Sequence, residues 1–262
     1  MIKRAFIWCI LILAIIFAQG CGSDSKEEKN QVELTIFAAS SLTESFTEIG
    51  QAFEKNHPGV RVKFNFAGSQ VLFSQIQNGA LADIFAPAGD KYMQQAMKQG
   101  LVKSHQPYAG NRMVLAVPAA NPQNIKDLKS LTKPCKIVMA EQEVPAGKYT
   151  LDVLDHCQAL WGREYKNNVL ANVISYEPNV KQVIAKILMC EADAGFVYYS
   201  DAVEEERRGK LKIIKIPDHL NMKVTYSIGI VHNGMNHDLT EEFTRFLVGA
   251  EAQTIFKKYR MN

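Results

Sequence analysis

The sequence predicts an α/β protein of two lobes around a cleft, and three observations support this prediction. Short apolar segments alternate with segments in which apolar residues recur at helical spacing. The chain has 262 residues, which is enough for two lobes of about 100–150 residues each. Hydrophobic residues make up 47% of the chain and charged residues 22%, values typical of a globular protein rather than a disordered or fibrous one.

In the first part of the folded body, the sequence pattern predicts three strands, each followed by a helix. The expected strands cover residues 34–39, 60–66 and 82–86. The helix after the first strand has Leu42, Phe46, Ile49 and Phe53 at helical spacing, and the others cover residues 71–76 and 90–98. Because strand–helix–strand order favours parallel pairing, we expect a mainly parallel sheet with helices on both faces.

The second part continues the alternation. Further strands are predicted at residues 113–117, 136–140, 194–198 and 224–231, before a closing amphipathic helix. Two sheets joined by a chain that crosses over and returns form two lobes. We expect residues 33–112 and 223–262 to form lobe 1, and residues 113–222 to form lobe 2.

The N-terminus is predicted to be a secretory signal over residues 1–20. Lys3 and Arg4 precede fourteen apolar residues at 5–18, and small residues follow. A helix of fourteen residues rises about 21 Å, which is less than the roughly 30 Å core of a bilayer. A membrane-spanning helix is therefore the weaker interpretation.

Residues 18–21 (AQGC) resemble a bacterial lipobox, in which Cys21 becomes the lipidated first residue of the mature protein. The segment that follows is polar, which predicts that residues 21–32 form a solvated tether. We expect an exported lipoprotein anchored to the outer face of the cell membrane. An ordinary signal peptide with an incidental cysteine is the alternative.

Charge and residue types argue against several classes of function. The chain has 30 Lys and Arg against 27 Asp and Glu, without a basic cluster, which argues against nucleic-acid binding. Its six histidines form no HExxH or comparable pattern, so we expect no metal centre and no cofactor. Cys135, Cys157 and Cys190 allow one disulfide and a free thiol, or three small buried residues.

Four junctions between a strand and a helix carry residues suited to an anion. Residues 41–44 (SLTE) match a capping box, and Gly68-Ser69 begins the next helix. Residues 144–147 (VPAG) place a proline in a first helical turn, and Asn179 is the predicted N-cap of another helix. Each junction presents free amides at the positive end of a helix dipole. Each could also be a helix cap alone, and a sugar, peptide or cation binder stays open at this point.

The chain resembles the molybdate-binding proteins of ABC importers over about residues 33–262. The segments that carry the resemblance are residues 37–43 (FAASSLT), 66–69 (FAGS), 79–86 (GALADIFA), 144–149 (VPAGKY) and 195–203 (GFVYYSDAV). The resemblance implies the type II periplasmic-binding-protein fold, with two mainly parallel sheets flanked by helices and a ligand cleft between lobes. It also implies a site for molybdate, usually with tungstate, that closes around the anion.

The same resemblance implies the site residues and the partners. Carried over position by position, the anion ligands are the hydroxyls and amides of two serines, two further amides and one tyrosine hydroxyl, which here are Ser41, Ser69, Ala146, Val180 and Tyr198. A membrane permease and a cytoplasmic ATPase are the implied partners. We expect the protein itself to be a monomer.

Three rival functions stay open on the sequence. The anion could be sulfate or phosphate, because the tetrahedral pattern of acceptors is the same. A ferric-ion binder could use Tyr198 and Tyr199 as phenolate ligands; strand alternation, however, predicts that these side chains point to opposite sides. A hydrolase is disfavoured, because no GxSxG motif is present and the side chains of His156 and Cys157 diverge on a helix.

Overall fold

The computed structural model describes residues 31–261. The predicted signal at 1–20, Cys21 and most of the tether at 21–32 lie outside the described residues. Residues Glu33–Asn262 group into one unit by their contacts. Within residues 31–261, no helix combines the length and the apolar character needed to cross a membrane.

Residues 31–261 form nine strands and nine α-helices, which confirms the α/β class. The strands are β1 (Val32–Ala39), β2 (Val60–Ala67), β3 (Ile84–Ala86), β4 (Val102–Pro118), β5 (Ile137–Ala140), β6 (Val173–Glu177), β7 (Ala194–Tyr198), β8 (Leu211–Lys215) and β9 (Lys223–Val231). The helices are α1 (Thr43–Asn56), α2 (Ser69–Gln77), α3 (Lys91–Lys98), α4 (Pro145–Trp161), α5 (Glu164–Ala171), α6 (Val180–Leu188), α7 (Tyr199–Arg207), α8 (His237–Val248) and α9 (Ala250–Lys258). Short 3₁₀ turns cover Ser40–Leu42 and Leu128–Thr132.

The sheet order is β2-β1-β3-β9-β4-β7-β5-β6, with β8 paired to β4. β1 pairs in parallel with β3, and β5 pairs in parallel with β6 and β7. The pairings of β9 with β3 and of β4 with β7, β8 and β9 are antiparallel. Parallel pairing therefore holds inside each strand–helix–strand series, as predicted, whereas the strands that connect the two series run antiparallel.

β4 extends through both parts of the sheet. Its first part pairs with β9 as far as Arg112, which lies opposite Lys223, and from Met113 onward it pairs with β7 and β8. The sequence predicted only its second part as a strand. The first part is polar and contains Pro107, and two register shifts accommodate this irregular segment in the ladder.

The main core lies between the sheet and the helices that cover it, and Phe46 of α1 shows how these layers meet. Its ring lies 5.8–6.4 Å from the rings of Phe64, Tyr108, Phe243 and Phe256, which belong to four other elements. The closing helix predicted from the sequence is two helices, α8 and α9, with a break at Gly249. Both contribute a phenylalanine to this cluster and thereby return the end of the chain to α1.

Asp83 is a buried carboxylate that joins three parts of the chain. It accepts hydrogen bonds from the Thr35 amide of β1 at 2.8 Å, and from the amides of Met235 and Asn236 at 2.8 and 3.1 Å. These bonds fix the start of β3 against β1 and against the loop that precedes α8. Asp83 thus ties the first half of β1, five residues before the Ser40–Leu42 turn, to two other parts of the chain.

We expect Asp83→Ala to lower the free energy of unfolding by about 3 kcal/mol, because it leaves three backbone amides without their acceptor. Denaturant unfolding followed by circular dichroism measures this change. Asp218→Ala is the matched control: Asp218 is exposed, and among residues 31–261 its carboxylate accepts no hydrogen bond, so its loss should cost less than about 0.5 kcal/mol. Equal losses in the two variants would contradict the role given to Asp83.

Candidate oxyanion site

The five site residues predicted from the sequence line a single cavity. Ser41 and Ser69 come from the part of the chain before β4 changes partners, and Ala146, Val180 and Tyr198 come from the part after it. All five are at most 4% exposed. The volume open to the centre of a water molecule is about 10 Å³, so the cavity is close to the size of one water.

Ser41 lies in the 3₁₀ turn between β1 and α1. Its hydroxyl is 3.0 Å from the hydroxyl of Tyr226 and makes no capping bond to α1. The predicted capping box at residues 41–44 is therefore wrong. The 3₁₀ turn delays the start of α1 to Thr43, which places Ser41 before the N-cap residue and frees Glu44 for a different partner.

Ser69 is the first residue of α2, directly after the N-cap Gly68. Its hydroxyl oxygen accepts a hydrogen bond from the Ala88 amide at 2.9 Å, which leaves the hydroxyl proton available to donate. A Cβ atom on Gly68 would lie 2.6 Å from the carbonyl oxygen of Pro178. A glycine is therefore required where the two sides of the cavity approach each other.

Ala146 lies in the first turn of α4, where Pro145 occupies the first helical position. The amides of a first turn have no intrahelical acceptor, and the proline has no amide to satisfy. A Cβ atom on Gly147 would lie 2.0 Å from the carbonyl oxygen of Glu141. This close approach places the start of α4 against the end of β5, where Ala146 borders the cavity.

Val180 is the first residue of α6, and the prediction that Asn179 caps this helix is confirmed. The Asn179 side chain accepts a hydrogen bond from the Gln182 amide at 3.1 Å. The cap satisfies the third amide of the helix, so the Val180 amide remains without an intrahelical acceptor. Val180 itself borders the cavity.

Tyr198 ends β7, and its hydroxyl is buried without a hydrogen-bond partner among the described residues. Burial raises the pKa of Tyr198 well above its usual value, and the neighbouring Tyr226 adds to this effect. The phenol is therefore a neutral donor at physiological pH. The assumption that strand alternation extends to Tyr199 is wrong, because Tyr199 begins α7. Its ring contacts the Arg112 guanidinium and does not border the cavity.

Tyr226 of β9 is a residue that sequence reasoning missed. It is fully buried, its hydroxyl contacts the Ser41 hydroxyl, and its ring lies 6.0 Å from the ring of Tyr198. The sequence predicted a strand at residues 224–231 but assigned no role to Tyr226. Its approach to Ser41 could not be predicted, because that contact joins residues 185 positions apart.

Comparisons with known proteins show the family to which the chain belongs. The family model of bacterial extracellular solute-binding proteins matches residues 34–261, which is most of the chain. The chain belongs to this family. The predicted resemblance to molybdate-binding proteins is confirmed as well, because Molybdate-binding protein ModA of Mycobacterium tuberculosis (strain H37Rv) is 32% identical over 90% of this chain and 88% of its own length.

Two further relatives of this solute-binding family add to the comparison. A Bacillus subtilis protein, named as a candidate ABC transporter substrate-binding lipoprotein, YvgL, is 29% identical over 99% of this chain and 98% of its own length. The solved substrate-binding domain of a candidate molybdenum ABC transporter from Clostridium difficile is 30% identical, with a TM-score of 0.66, and the match covers 88% of this chain and 99% of that one.

The cavity of this family member is lined without a single ionised side chain. Its lining residues are small, apolar or hydroxyl-bearing: Ala39, Ser40, Ser41, Ala67, Gly68, Ser69, Ala88, Val144, Pro145, Ala146, Val180 and Tyr198. Within residues 31–261, no group of three or more His, Cys, Asp or Glu side chains could hold a metal ion. Cys135, Cys157 and Cys190 are free thiols.

Three charged residues lie just behind the cavity wall. Lys181 follows Val180, and its Nζ lies 2.9 Å from Oδ1 of the buried Asp201 and 2.6 Å from Oε2 of Glu44. Burial raises the pKa of Asp201 to about 6, and the lysine only partly offsets this effect. Burial also disfavours the charged lysine, but the two carboxylates outweigh it and raise the pKa of Lys181.

The raised pKa of Asp201 makes the stability of the fold depend on pH. Between about pH 4 and pH 6 the folded state holds this proton more tightly than the unfolded chain does, so the contribution of Asp201 is lost as the pH rises. Asp201→Asn cannot ionise. We therefore expect its stability relative to the parent to increase from pH 4 to pH 7, measured by denaturant unfolding at each pH. A difference that stays constant across this range would contradict the prediction.

Proposed function

We propose that this protein captures molybdate and tungstate outside the cytoplasm and delivers them to an ABC importer. The observation that carries the proposal is the single cavity lined by neutral donors from both parts of the chain. The names of the relatives, which include molybdate-binding proteins over nearly their whole length, support it. We propose that the protein binds its anion without a cofactor and without catalysing a reaction.

The proposed anion contacts are the hydroxyls of Ser41, Ser69 and Tyr198 and the amides at the starts of the neighbouring helices, which include those of Ala146 and Val180. A dianion needs no counter-ion where many fixed donors point at it, since a charge-assisted hydrogen bond contributes about 1.5–3 kcal/mol. The site is poor in acceptors, because Ser69 already accepts from Ala88. A protonated oxyanion would therefore bury an O–H group without an acceptor.

Size is the proposed basis of discrimination against sulfate. Sulfate and molybdate carry the same charge and present the same tetrahedral set of acceptors, so the donors alone cannot separate them. Because the cavity is close to the size of one water, an anion enters only if the two sides move apart, while Gly68 and Pro145 restrict the shape of each side. We therefore propose that the spacing between the segments that carry Ser41 and Ser69 and the opposing amides selects the larger anion.

We propose that residues 33–112 with 223–262 form one lobe, residues 113–222 form the other, and the lobes close on the anion. The change of partners in β4 after Arg112 supports this division. Ser41, Ser69 and Tyr198 are almost fully buried, so an anion cannot reach them unless the two sides separate. An anion bonded to both lobes favours the closed state through its additional contacts.

We further propose that Cys21 carries a lipid anchor, with residues 21–32 as the tether and residues 1–20 as the removed signal. The positively charged start, the apolar run and the AQGC segment support this, as does the name of the Bacillus subtilis relative. The proposed partners are a membrane permease and its ATPase. A monomer on a tether would exchange its anion with the permease at the membrane surface.

Calorimetric titration of residues 31–262 with molybdate tests the proposed site. Ser41→Ala, Ser69→Ala and Tyr198→Phe each remove one hydroxyl donor, and we expect each to weaken molybdate binding by about 1–3 kcal/mol. Tyr199→Phe is the matched control, because Tyr199 is the adjacent tyrosine and does not border the cavity. Its affinity should equal that of the parent.

Two outcomes of these titrations would overturn the proposal. If the parent binds sulfate or phosphate more tightly than molybdate, the proposed substrate is wrong. If all three hydroxyl variants bind molybdate as the parent does, the anion site lies elsewhere. Iron-loaded, coloured protein that depends on both Tyr198 and Tyr199 would instead support a ferric-ion binder.

Small-angle scattering tests closure. We expect the radius of gyration to decrease when molybdate saturates the protein, because the anion bonds to both lobes. An equal concentration of sodium chloride provides the control for ionic strength. An unchanged scattering profile at saturation would contradict closure by a hinge.

A further inference from the structure

Three helices begin beside the candidate site, and one lysine connects their first turns. Lys181 of α6 places its Nζ 2.8 and 2.6 Å from the two carboxylate oxygens of Glu44 in α1. The same Nζ lies 2.9 Å from Oδ1 of Asp201 in α7. Glu44 belongs to the part of the chain before the β4 switch, whereas Lys181 and Asp201 belong to the part after it.

The position of Lys181 is unfavourable for its own helix. A cation in a first turn opposes the helix dipole, whereas carboxylates in first turns, such as Glu44 and Asp201, are favoured. The Asp201 side chain is 0% exposed, and burying such a charge without a partner is costly. The two carboxylates therefore account for a lysine at this place.

The ion pair between Glu44 and Lys181 ties together two backbone segments of the cavity wall. Glu44 lies three residues after Ser41, and Lys181 directly follows Val180. Lys181 does not itself border the cavity. Its charge is already engaged by two carboxylates, so it acts on the cavity through the position of the two segments.

Two hydrogen bonds and a second ion pair also join these two parts of the chain, but they differ from the contact between Lys181 and Glu44. Gln70 and Tyr92 donate to the carbonyl oxygens of Pro178 and Glu143 at 2.9 and 2.7 Å. These bonds are between neutral groups. A second crossing ion pair, between Lys91 and Glu143, is equally near the cavity in sequence, because Glu143 precedes Val144, but its acid is 68% exposed. The Lys181–Glu44 pair differs from the Lys91–Glu143 pair because Lys181 also contacts the buried carboxylate of Asp201, which holds the lysine on its own lobe.

We propose that Lys181 is a positioning residue that holds the two lobes closed: Asp201 anchors it to one lobe, and Glu44 is its contact on the other. The inference rests on the proposed function and concerns how long the anion stays bound. Because the lysine does not touch the anion, losing the contact with Glu44 weakens binding of every accepted oxyanion by the same factor. The loss appears as faster dissociation.

Glu44→Gln is the decisive variant, because it removes the crossing ion pair and leaves Asp201 paired with Lys181. Lys181→Met removes both ion pairs and tests the same contact from the other side. Lys186→Met is the matched control. Lys186 lies on the same helix and pairs at 2.8 Å with Glu177, whose side chain is 8% exposed, but both members belong to residues 113–222.

The measurements are calorimetric titration and stopped-flow dissociation with molybdate, tungstate, sulfate and phosphate. We expect Glu44→Gln to raise the dissociation constant about fivefold, the upper value for a partly exposed ion pair, with the ratio between anions unchanged. Lys181→Met should raise it by at least as much. Lys186→Met should leave the affinity unchanged, although its thermal stability falls.

The outcomes separate this inference from the proposed function. If the parent prefers sulfate or phosphate, the proposed substrate is wrong. The variants then still test the role of Lys181, measured with the anion that the parent binds. If Glu44→Gln and Lys181→Met match the parent in affinity and dissociation rate, the role of Lys181 is overturned. A change in the ratio between anions would also overturn it, because the lysine would then shape the cavity directly. If no anion of the series binds the parent, both proposals fail.

Discussion

β4 pairs with β9 as far as Arg112 and with β7 and β8 from Met113 onward, and the position of every cavity residue depends on this change of partner. On one side of it, β1 and β2 end at the segments that carry Ser41 and Ser69. On the other side, the ends of β5, β6 and β7 lead to the other three site residues, Ala146, Val180 and Tyr198. The carboxyl ends of five strands thus face one another, where helix starts present their unpaired amides.

The same arrangement buries a hydroxyl donor that no other part of the described chain pairs. The Tyr198 hydroxyl is buried without a partner among the described residues, and such a group costs about 1–3 kcal/mol. Tyr226, by contrast, shares its hydroxyl with Ser41. A core built for stability alone would accommodate a phenylalanine at position 198, so the buried hydroxyl is best explained by the acceptor it meets in the proposed complex.

Local patterns predicted much of the fold and the four strand–helix junctions, and the family resemblance implied the five site residues, whereas long-range contacts escaped prediction. The helix starts at Ser69, Pro145 and Val180 follow from capping chemistry that spans a few residues, and the resemblance located the serines and Tyr198. The first part of β4 was missed because its pairing with β9, rather than its own composition, makes it a strand. The capping box failed because a 3₁₀ turn intervenes, and Glu44 finds its partner 137 residues away.

The placement of charge around the cavity decides how an anion can be held there. Glu44, Lys181 and Asp201 together carry one net negative charge when all are ionised, and none borders the cavity. A nearby free cation would attract any anion, whether large or small, protonated or not. Engaging Lys181 with two carboxylates removes that general attraction, so the binding energy must come from fixed dipoles whose directions depend on the shape of the anion. The discrimination that such a site achieves then depends on how firmly the two sides hold their spacing, and Lys181 is the charged contact that sets this spacing directly behind Val180.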